Sequence, residues 1–110
     1  MKVFISVPMH GRSEQEVQDA LNSAKIALRS RFKGVDVTFL DQTIKIDSRG
    51  KNEGLEGLGE AIKKMADADL VYCCESGDSK GCAVERYVAR TYRIPMLLEG
   101  YEEYGVYQPL

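Results

Sequence analysis

The fold of this chain is decided by residues 69–91, which read DLVYCCESGDSKGCAVERYVART. The first part, Asp69–Cys74, is short and almost entirely apolar, which predicts a buried strand. The polar run Glu75–Asp78 predicts a turn, and Ser79 is a residue type that caps helices. The helix that follows carries an apolar stripe at Val84, Tyr87, Val88 and Thr91. A buried strand that turns directly into a helix is the unit from which parallel α/β sheets are built.

The same alternation of strands and helices extends in both directions from this unit. Further strands are predicted at Lys2–Val7, Val35–Leu40 and Ile94–Leu98. A first helix should begin after Ser13, where Glu16 completes a capping box, and end near Gly34. A second should follow the stripe formed by Leu55, Leu58, Ile62 and Met65. We therefore predict an α/β fold of three layers: a flavodoxin-like or Rossmann-like parallel sheet of four to five strands, ordered 2-1-3-4(-5), with helices on both faces.

Composition narrows the classes of function. The 110 residues carry a net charge of −2, which argues against binding of a nucleic-acid polymer, because that needs a dense basic face. No apolar run approaches the roughly 20 residues of a membrane span, and no secretory signal precedes the first strand. We expect a cytoplasmic protein with no membrane partner, built as one domain over residues 1–98 with a tail at 99–110.

The cysteines and the single histidine bear on redox state and metals. Cys73, Cys74 and Cys82 form no C-x-x-C pair, so they are expected to be reduced thiols. Cys73 and Cys74 lie inside a strand pattern and fit small core residues. Cys82 could be activated at a helix start, but no base is identifiable near it. No ligand spacing for a metal is present, and we predict neither a metal nor a cofactor.

Two segments that leave predicted strands run directly into helix starts, where ligands of parallel sheets commonly bind. The first comprises Pro8, Met9, His10, Gly11 and Arg12. Gly11 permits close approach of a ligand to the backbone, and the free amides of a helix start suit a phosphate. The segment is either a cradle for an anion or sugar phosphate, or a plain turn with exposed His10 and Arg12. Composition alone favours the plain turn.

The second segment begins the helix after residues 69–78. Ser79 offers a hydroxyl, Gly81 offers an unobstructed amide, and Glu85 lies about two turns into the helix beside its predicted buried stripe. A carboxylate there can point across the sheet edge toward a ligand. It can equally be an ordinary helical glutamate, stabilised by the helix dipole or paired with Arg86 or Arg90. On these residues alone the ordinary interpretation is favoured.

Three stretches of the chain resemble a known family. VFISVPMHG (residues 3–11), ADADLVYCCE (66–75) and DSKGCAVERYVAR (78–90) are similar to the nucleoside 2-deoxyribosyltransferase superfamily. The likeness is to its small phage-type members and to the 2′-deoxynucleoside 5′-phosphate N-hydrolases. It covers most of the chain, from Lys2 to about Leu98. The block with Ser, Gly and Glu at fixed offsets is its most specific part.

The resemblance implies a role for several residues. Glu85 matches the glutamate that attacks the anomeric carbon of a deoxyribose and forms a covalent glycosyl-enzyme intermediate. Ser79 matches a serine that contacts the 5′-phosphate, and Gly81 a glycine of close approach. His10 and Gly11 fall where the hydrolases place residues near the ligand. The implied partner is a small nucleoside or nucleotide, with water or a second base as acceptor.

Some positions depart from the family pattern. The acid that helps protonate the leaving base should stand eight residues before Asp69, where this chain has Ala61. Glu60 is one position away and is a tentative substitute. Asp41, with Asp47 on the same polar connection, is another candidate acid or ligand contact. Phe4 stands where some members have tyrosine, and Val7 where they have glycine.

These departures leave two other functions open. A nucleotide-binding or nucleotide-sequestering protein without catalysis is the main alternative, supported by Ala61. The third possible function is that of a flavodoxin-like module with a purely interaction role.

Family members are typically dimers or larger, so the resemblance also implies a homo-oligomer. Candidate contacts for it are Tyr101, Tyr104 and Tyr107 of the tail.

Overall fold

The computed structural model describes residues 1–9, 11–40, 52–74 and 79–99. Its elements are, in chain order, β1 (Lys2–Ser6), α1 (Glu14–Arg31), β2 (Thr38–Phe39), α2 (Glu53–Met65), β3 (Leu70–Cys73), α3 (Lys80–Thr91) and β4 (Met96–Leu98). The four strands pair in parallel in the order β2-β1-β3-β4, which confirms the predicted fold class and strand order. Within these residues, no helix has the length and apolar character needed to cross a membrane.

Each face of the sheet has its own core, because side chains alternate between the faces along every strand. One core lies between the sheet and α1, and its main members are Val3, Ile5, Leu21, Ala24, Leu28, Leu70, Tyr72 and Leu97. The other lies between the sheet and α2 and α3, and contains Phe4, Ala61, Met65, Val71, Cys73, Ala89 and Met96. The crossovers from β1 to β2 and from β2 to β3 run in opposite directions, so right-handed connections place their helices on opposite faces. The predicted three layers are confirmed.

Helix α1 begins at the predicted capping box. The Ser13 hydroxyl accepts a hydrogen bond from the amide of Glu16 at 3.1 Å, and the Glu16 carboxylate accepts one from the amide of Ser13 at 3.3 Å. The helix ends at Arg31. Gly34 then has a φ of +82°, a left-handed conformation in which glycine avoids the strain of a side chain.

Helix α2 begins earlier than its apolar pattern predicts. Asn52 caps it by accepting a hydrogen bond from the amide of Leu55 at 2.9 Å, so Glu53 and Gly54 belong to the helix rather than to the preceding connection. The predicted stripe is wrong at Leu55, which is exposed. Ala61 and Met65 provide the buried contacts of this helix, because they face Phe4 and Val71 across the helix–sheet contact.

Helix α3 begins at the predicted cap, where the Ser79 hydroxyl accepts a hydrogen bond from the Cys82 amide at 3.3 Å. Its predicted apolar stripe is wrong at Val84 and Tyr87, which are exposed, whereas Val88 packs against the core. The residues that it buries are Cys82, Glu85 and Ala89. The small Ala89 side chain lies in the core shared with Cys73 and Met96, so α3 approaches the sheet with compact side chains. One consequence is that a carboxylate points inward.

Candidate functional site

The candidate site lies at the point where the strand order reverses, between β1 and β3. Connections leave these two neighbouring strands toward opposite faces of the sheet, and ligands of open α/β sheets commonly bind at such a point, beyond the carboxyl ends of the strands. Ser6 is the last residue of β1. The amide of Cys74 donates a hydrogen bond to the Ser6 carbonyl at 3.0 Å, which ties the two strand ends together.

A buried hydrogen bond joins this strand end to helix α3. The Ser6 hydroxyl donates to Oε1 of Glu85 at 2.8 Å. Ser6 is 0% exposed and Glu85 is 7% exposed. Alternation along β1 puts Ser6 on the same face as Phe4, which is the face that α3 covers, and Glu85 lies in the second turn of that helix. Glu85 is the one ionisable carboxylate buried among the residues that the structure describes.

Burial changes the acidity of this carboxylate. It raises the pKa of Glu85 from an ordinary 4.5 to about 7, because the charged form is poorly solvated there. The hydrogen bond from Ser6 and the charge of Arg86 both favour the ionised form and oppose part of that rise. Both the ionised and the protonated form of the carboxyl group are therefore accessible near neutral pH.

A carboxyl group with these properties has two chemical uses. In its ionised form, a poorly solvated carboxylate can attack an electrophilic carbon or stabilise positive charge that develops next to it. In its protonated form it can donate a proton near pH 7. Perturbed carboxyl groups of this kind are concentrated at functional sites. The arrangement thus favours the functional interpretation of Glu85 over an ordinary surface glutamate, and no pairing with Arg90 is involved in its pKa.

Ser79 and Gly81 lie six and four positions before Glu85, at the beginning of α3. Ser79 is half-buried and its hydroxyl oxygen caps the helix, which leaves the hydroxyl hydrogen for donation. Apart from the adjacent residues and the backbone of the helix itself, no described atom lies within 4 Å of the position that a Cβ at Gly81 would occupy. The open space beside Gly81 fits the predicted glycine of close approach.

The first predicted segment also meets this end of the sheet. Pro8 is buried, whereas Met9 and Arg12 are exposed. Gly11 has a φ of +74°, and the amide of Arg12 donates to the Met9 carbonyl at 3.1 Å, so the segment makes the predicted turn. Burial raises the pKa of the Cys74 thiol, and the charge of the Arg12 guanidinium opposes part of that rise, which places this positive charge near the carboxyl end of β3.

Of the candidate acids, the structure describes Glu60, which makes no contact with the Ser6–Glu85 pair. The Glu60 side chain is 48% exposed and forms an ion pair with Lys63 at 3.1 Å. Ala61 is buried against the sheet in the same core as Phe4, so the position expected to hold the acid faces the correct layer but carries a methyl group. His10, Asp41 and the tail tyrosines lie outside the described residues.

The three cysteines are free and buried, as expected for reduced thiols in the core. Burial raises the pKa of Cys73 and of Cys74 to about 12, so these thiols are poor nucleophiles at neutral pH. Within the part of the chain that the structure describes, no group of three His, Cys, Asp or Glu residues is arranged to hold a metal ion.

Ser6 is the site residue that sequence reasoning missed. It stands in KVFISV, an otherwise apolar stretch after Lys2, and its burial follows from the assignment of that stretch to a central strand. A hydroxyl buried on such a strand needs a hydrogen-bond partner. That requirement was the available signal, although the partner stands 79 residues away in sequence.

Comparisons of the chain with protein-family models, with curated proteins and with solved structures found no match.

Proposed function

We propose that this protein is a cytoplasmic enzyme that cleaves or transfers the N-glycosidic bond of a 2′-deoxynucleoside or its 5′-monophosphate, through a covalent glycosyl intermediate on Glu85. The observation that carries the proposal is the buried carboxyl group of Glu85, with a pKa of about 7, at the reversal of the strand order. The motif resemblance around Ser79, Gly81 and Glu85 supplies the class of substrate.

The chemistry balances with the residues at hand and water. An oxygen of the Glu85 carboxylate forms a bond to the anomeric carbon of the sugar. The bond from that carbon to the base nitrogen breaks, and its electron pair leaves with the base, which takes a proton from solvent. Water then attacks the anomeric carbon and loses one proton to solvent, the bond from that carbon to the Glu85 oxygen breaks, and its electron pair regenerates the carboxylate. A second base in place of water makes the reaction a transfer.

The helix starts around Glu85 favour a phosphorylated substrate. The first amides of α3 carry partial positive charge, and the exposed guanidinium of Arg12 lies toward the same edge of the sheet. Ser79 can add a hydroxyl donor at the beginning of α3. A 5′-phosphate held there would be fixed by groups separate from the carboxylate that attacks the sugar.

A second candidate function is nucleotide binding or sequestration without turnover. The observation that favours it is Ala61, whose methyl group packs in the core where the resemblance leads us to expect an acid for the leaving base. Without that acid, departure of the base depends on solvent or on the substrate itself. A protein with the same binding groups and no turnover would then retain ligands.

We also propose that the protein forms a homodimer or larger homo-oligomer. Val84, Tyr87 and Leu55 are large apolar side chains that are exposed on α3 and α2, which fits an additional contact. Light scattering on the full chain should give at least twice the monomer mass of 12.3 kDa. A monomer mass at all concentrations would contradict this part of the proposal.

The test of the proposed reaction is direct. Each 2′-deoxynucleoside and each 5′-monophosphate is incubated with the wild type, and free base is measured by chromatography. Glu85→Gln keeps the size and the hydrogen-bond acceptor but cannot attack, and Glu85→Ala removes the group. Glu14→Gln, an exposed glutamate of α1, is the matched control, and Glu60→Gln tests the tentative acid.

We expect base release by the wild type and by the Glu14 control, and almost none by either Glu85 variant. Mass spectrometry of a quenched reaction should show a deoxyribosyl adduct on the peptide that contains Glu85. No release from any substrate would rule out the reaction, and binding without release would favour the sequestering protein. Release that survives both Glu85 substitutions would refute the role given to Glu85.

A further inference from the structure

We propose that Ser6 is a positioning residue for Glu85. The Ser6 hydroxyl holds one oxygen of the Glu85 carboxylate so that the other oxygen faces the substrate. The inference deepens the proposed function and rests on it for its catalytic meaning. The sequence resemblance assigns no role to Ser6. Its support is geometric and comes from the hydrogen bond, the burial of both partners, and the place of Ser6 in the sheet.

The hydrogen bond distinguishes the two carboxylate oxygens. Ser6 donates to Oε1 at 2.8 Å. Among the described residues no second donor contacts the Glu85 carboxylate, and we assign the attack to the other oxygen, Oε2. Rotation of a carboxylate exchanges its oxygens, and a fixed donor on one of them restricts that rotation. Orientation of a reacting group is worth several powers of ten in rate, so this restriction matters for catalysis.

Ser6 is suited to the task because its own position is fixed. It ends β1, a central strand of the sheet, and its carbonyl accepts a hydrogen bond from the Cys74 amide at 3.0 Å. It is also completely buried, so water does not compete for its hydroxyl hydrogen. A donor on a rigid strand places the carboxylate more reproducibly than a donor on a loop would.

The hydroxyl also acts on the ionisation of Glu85, because it stabilises the charged form of the acceptor. In the part of the chain that the structure describes, the titratable groups around the carboxyl are Arg86 on the same helix, whose charge favours ionisation, and the Cys73 thiol on β3, whose own pKa Glu85 helps to raise. Among the described residues of α2 and β4, no charged group contributes to the pKa of Glu85. Ser6 is therefore the main specific contact that favours the carboxylate.

The first measurement does not depend on activity. The carboxyl carbon of Glu85 is followed by NMR against pH in protein with ¹³C-labelled glutamate, and Glu85→Gln assigns the signal. Loss of the hydroxyl in Ser6→Ala should move the midpoint upward by about one pH unit, since a hydrogen bond to the charged form has gone. Ser6→Thr, which keeps a hydroxyl, should restore the wild-type midpoint. Ser23→Ala, on the exposed face of α1, is the matched control.

The second measurement is base release over the same pH range. In Ser6→Ala, kcat should fall more than KM changes, and the pH midpoint of kcat/KM should move upward with the NMR midpoint. A shift of about one unit from 7 lowers the ionised fraction at pH 7 about fivefold, and loss of orientation adds to that decrease. Ser6→Thr should recover most of the activity, whereas Ser23→Ala should match the wild type.

The two measurements separate failure of this inference from failure of the proposed function. An NMR midpoint unchanged by Ser6→Ala, or a threonine variant that behaves like alanine in both assays, would overturn the role of Ser6. If the NMR midpoint shifts but the protein releases no base, the proposed reaction and the catalytic role of Ser6 are refuted. The hydrogen bond between Ser6 and Glu85 would still be established. If Ser6→Ala does not fold, Ser6→Cys, with a weaker donor of similar size, should give an intermediate upward shift, and no shift would again overturn the inference.

Discussion

Replacement of Glu85 by glutamine should stabilise the protein at alkaline pH and change its stability much less at acidic pH. The substitution keeps the shape of the side chain and an oxygen that can accept the hydrogen bond from Ser6, and it removes the charge. Because the carboxylate is buried, its ionisation opposes folding. The glutamine variant has no such ionisation, so the difference between the two proteins should depend on pH.

The size of the effect follows from the two pKa values. In the folded state the pKa of Glu85 is about 7, against an ordinary 4.5, a difference of about 2.5. Below pH 4.5 the Glu85 carboxyl group holds its proton in both the folded and the unfolded state, so its ionisation does not lower the free energy of unfolding. As the pH rises toward 7 the unfolded state releases its proton first, and stability is lost. Above pH 7 the loss reaches about 3 kcal/mol, at 1.36 kcal/mol for each pKa unit.

The assay is urea unfolding of the wild type and of Glu85→Gln at pH 5 and pH 8, monitored by circular dichroism. The free energy of unfolding of the variant relative to the wild type should rise by about 2 to 3 kcal/mol between these pH values. Glu14→Gln, at an exposed position, should show little change in the same comparison. If the wild type and Glu85→Gln respond in parallel to pH, burial does not raise the pKa of Glu85 and the argument for the site fails.

Three further predictions test the site and the core. Ser79→Asp should keep the helix cap, because aspartate caps helices well, but should raise KM about tenfold for a 5′-monophosphate and less for the free nucleoside; equal changes would contradict a phosphate contact. Leu28→Ala should lower the free energy of unfolding by about 2 to 5 kcal/mol in urea titrations, because Leu28 is fully buried; a loss below 1 kcal/mol would contradict its place in the core. Cys73 and Cys74 should resist iodoacetamide at pH 8 in the native protein and react after unfolding, since burial raises both pKa values to about 12; rapid native labelling would contradict that burial.

The topology could be predicted from local signals in the sequence. Apolar segments short enough for strands alternate with helical stripes, and the caps at Ser13 and Ser79 mark where helices begin. Once β1 to β4 are placed, right-handed crossovers leave few ways to arrange them. Strand ends were less predictable: β2 comprises only Thr38–Phe39, where Val35–Leu40 was expected, because an edge strand pairs with one neighbour and its length depends on that pairing.

The orientation of α3 could not be predicted in the same way. Val84 and Tyr87 are spaced for one helix face, and Cys82, Glu85 and Ala89 are spaced equally well for another. Hydrophobicity favours the first set, yet the structure buries the second. The deciding factor is the close contact of the helix with Cys73 and Met96 on the sheet, and no local pattern reports on such a contact. The same reason explains why Ser6 was missed, since its partner belongs to a distant part of the chain.

A purely structural role accounts poorly for the buried carboxyl group. If the contact between β1 and α3 required only a hydrogen bond, glutamine at position 85 would accept it from Ser6 without the loss of about 3 kcal/mol expected above pH 7. Apolar side chains of similar size at both position 6 and position 85 could fill the same space and leave no polar group to satisfy. The chain instead places an ionisable group there, at the edge of the sheet where ligands bind in folds of this class. Residues that act on a ligand often lower the stability of the folded protein, as this buried carboxyl group does. Glu85 is therefore the first residue to test.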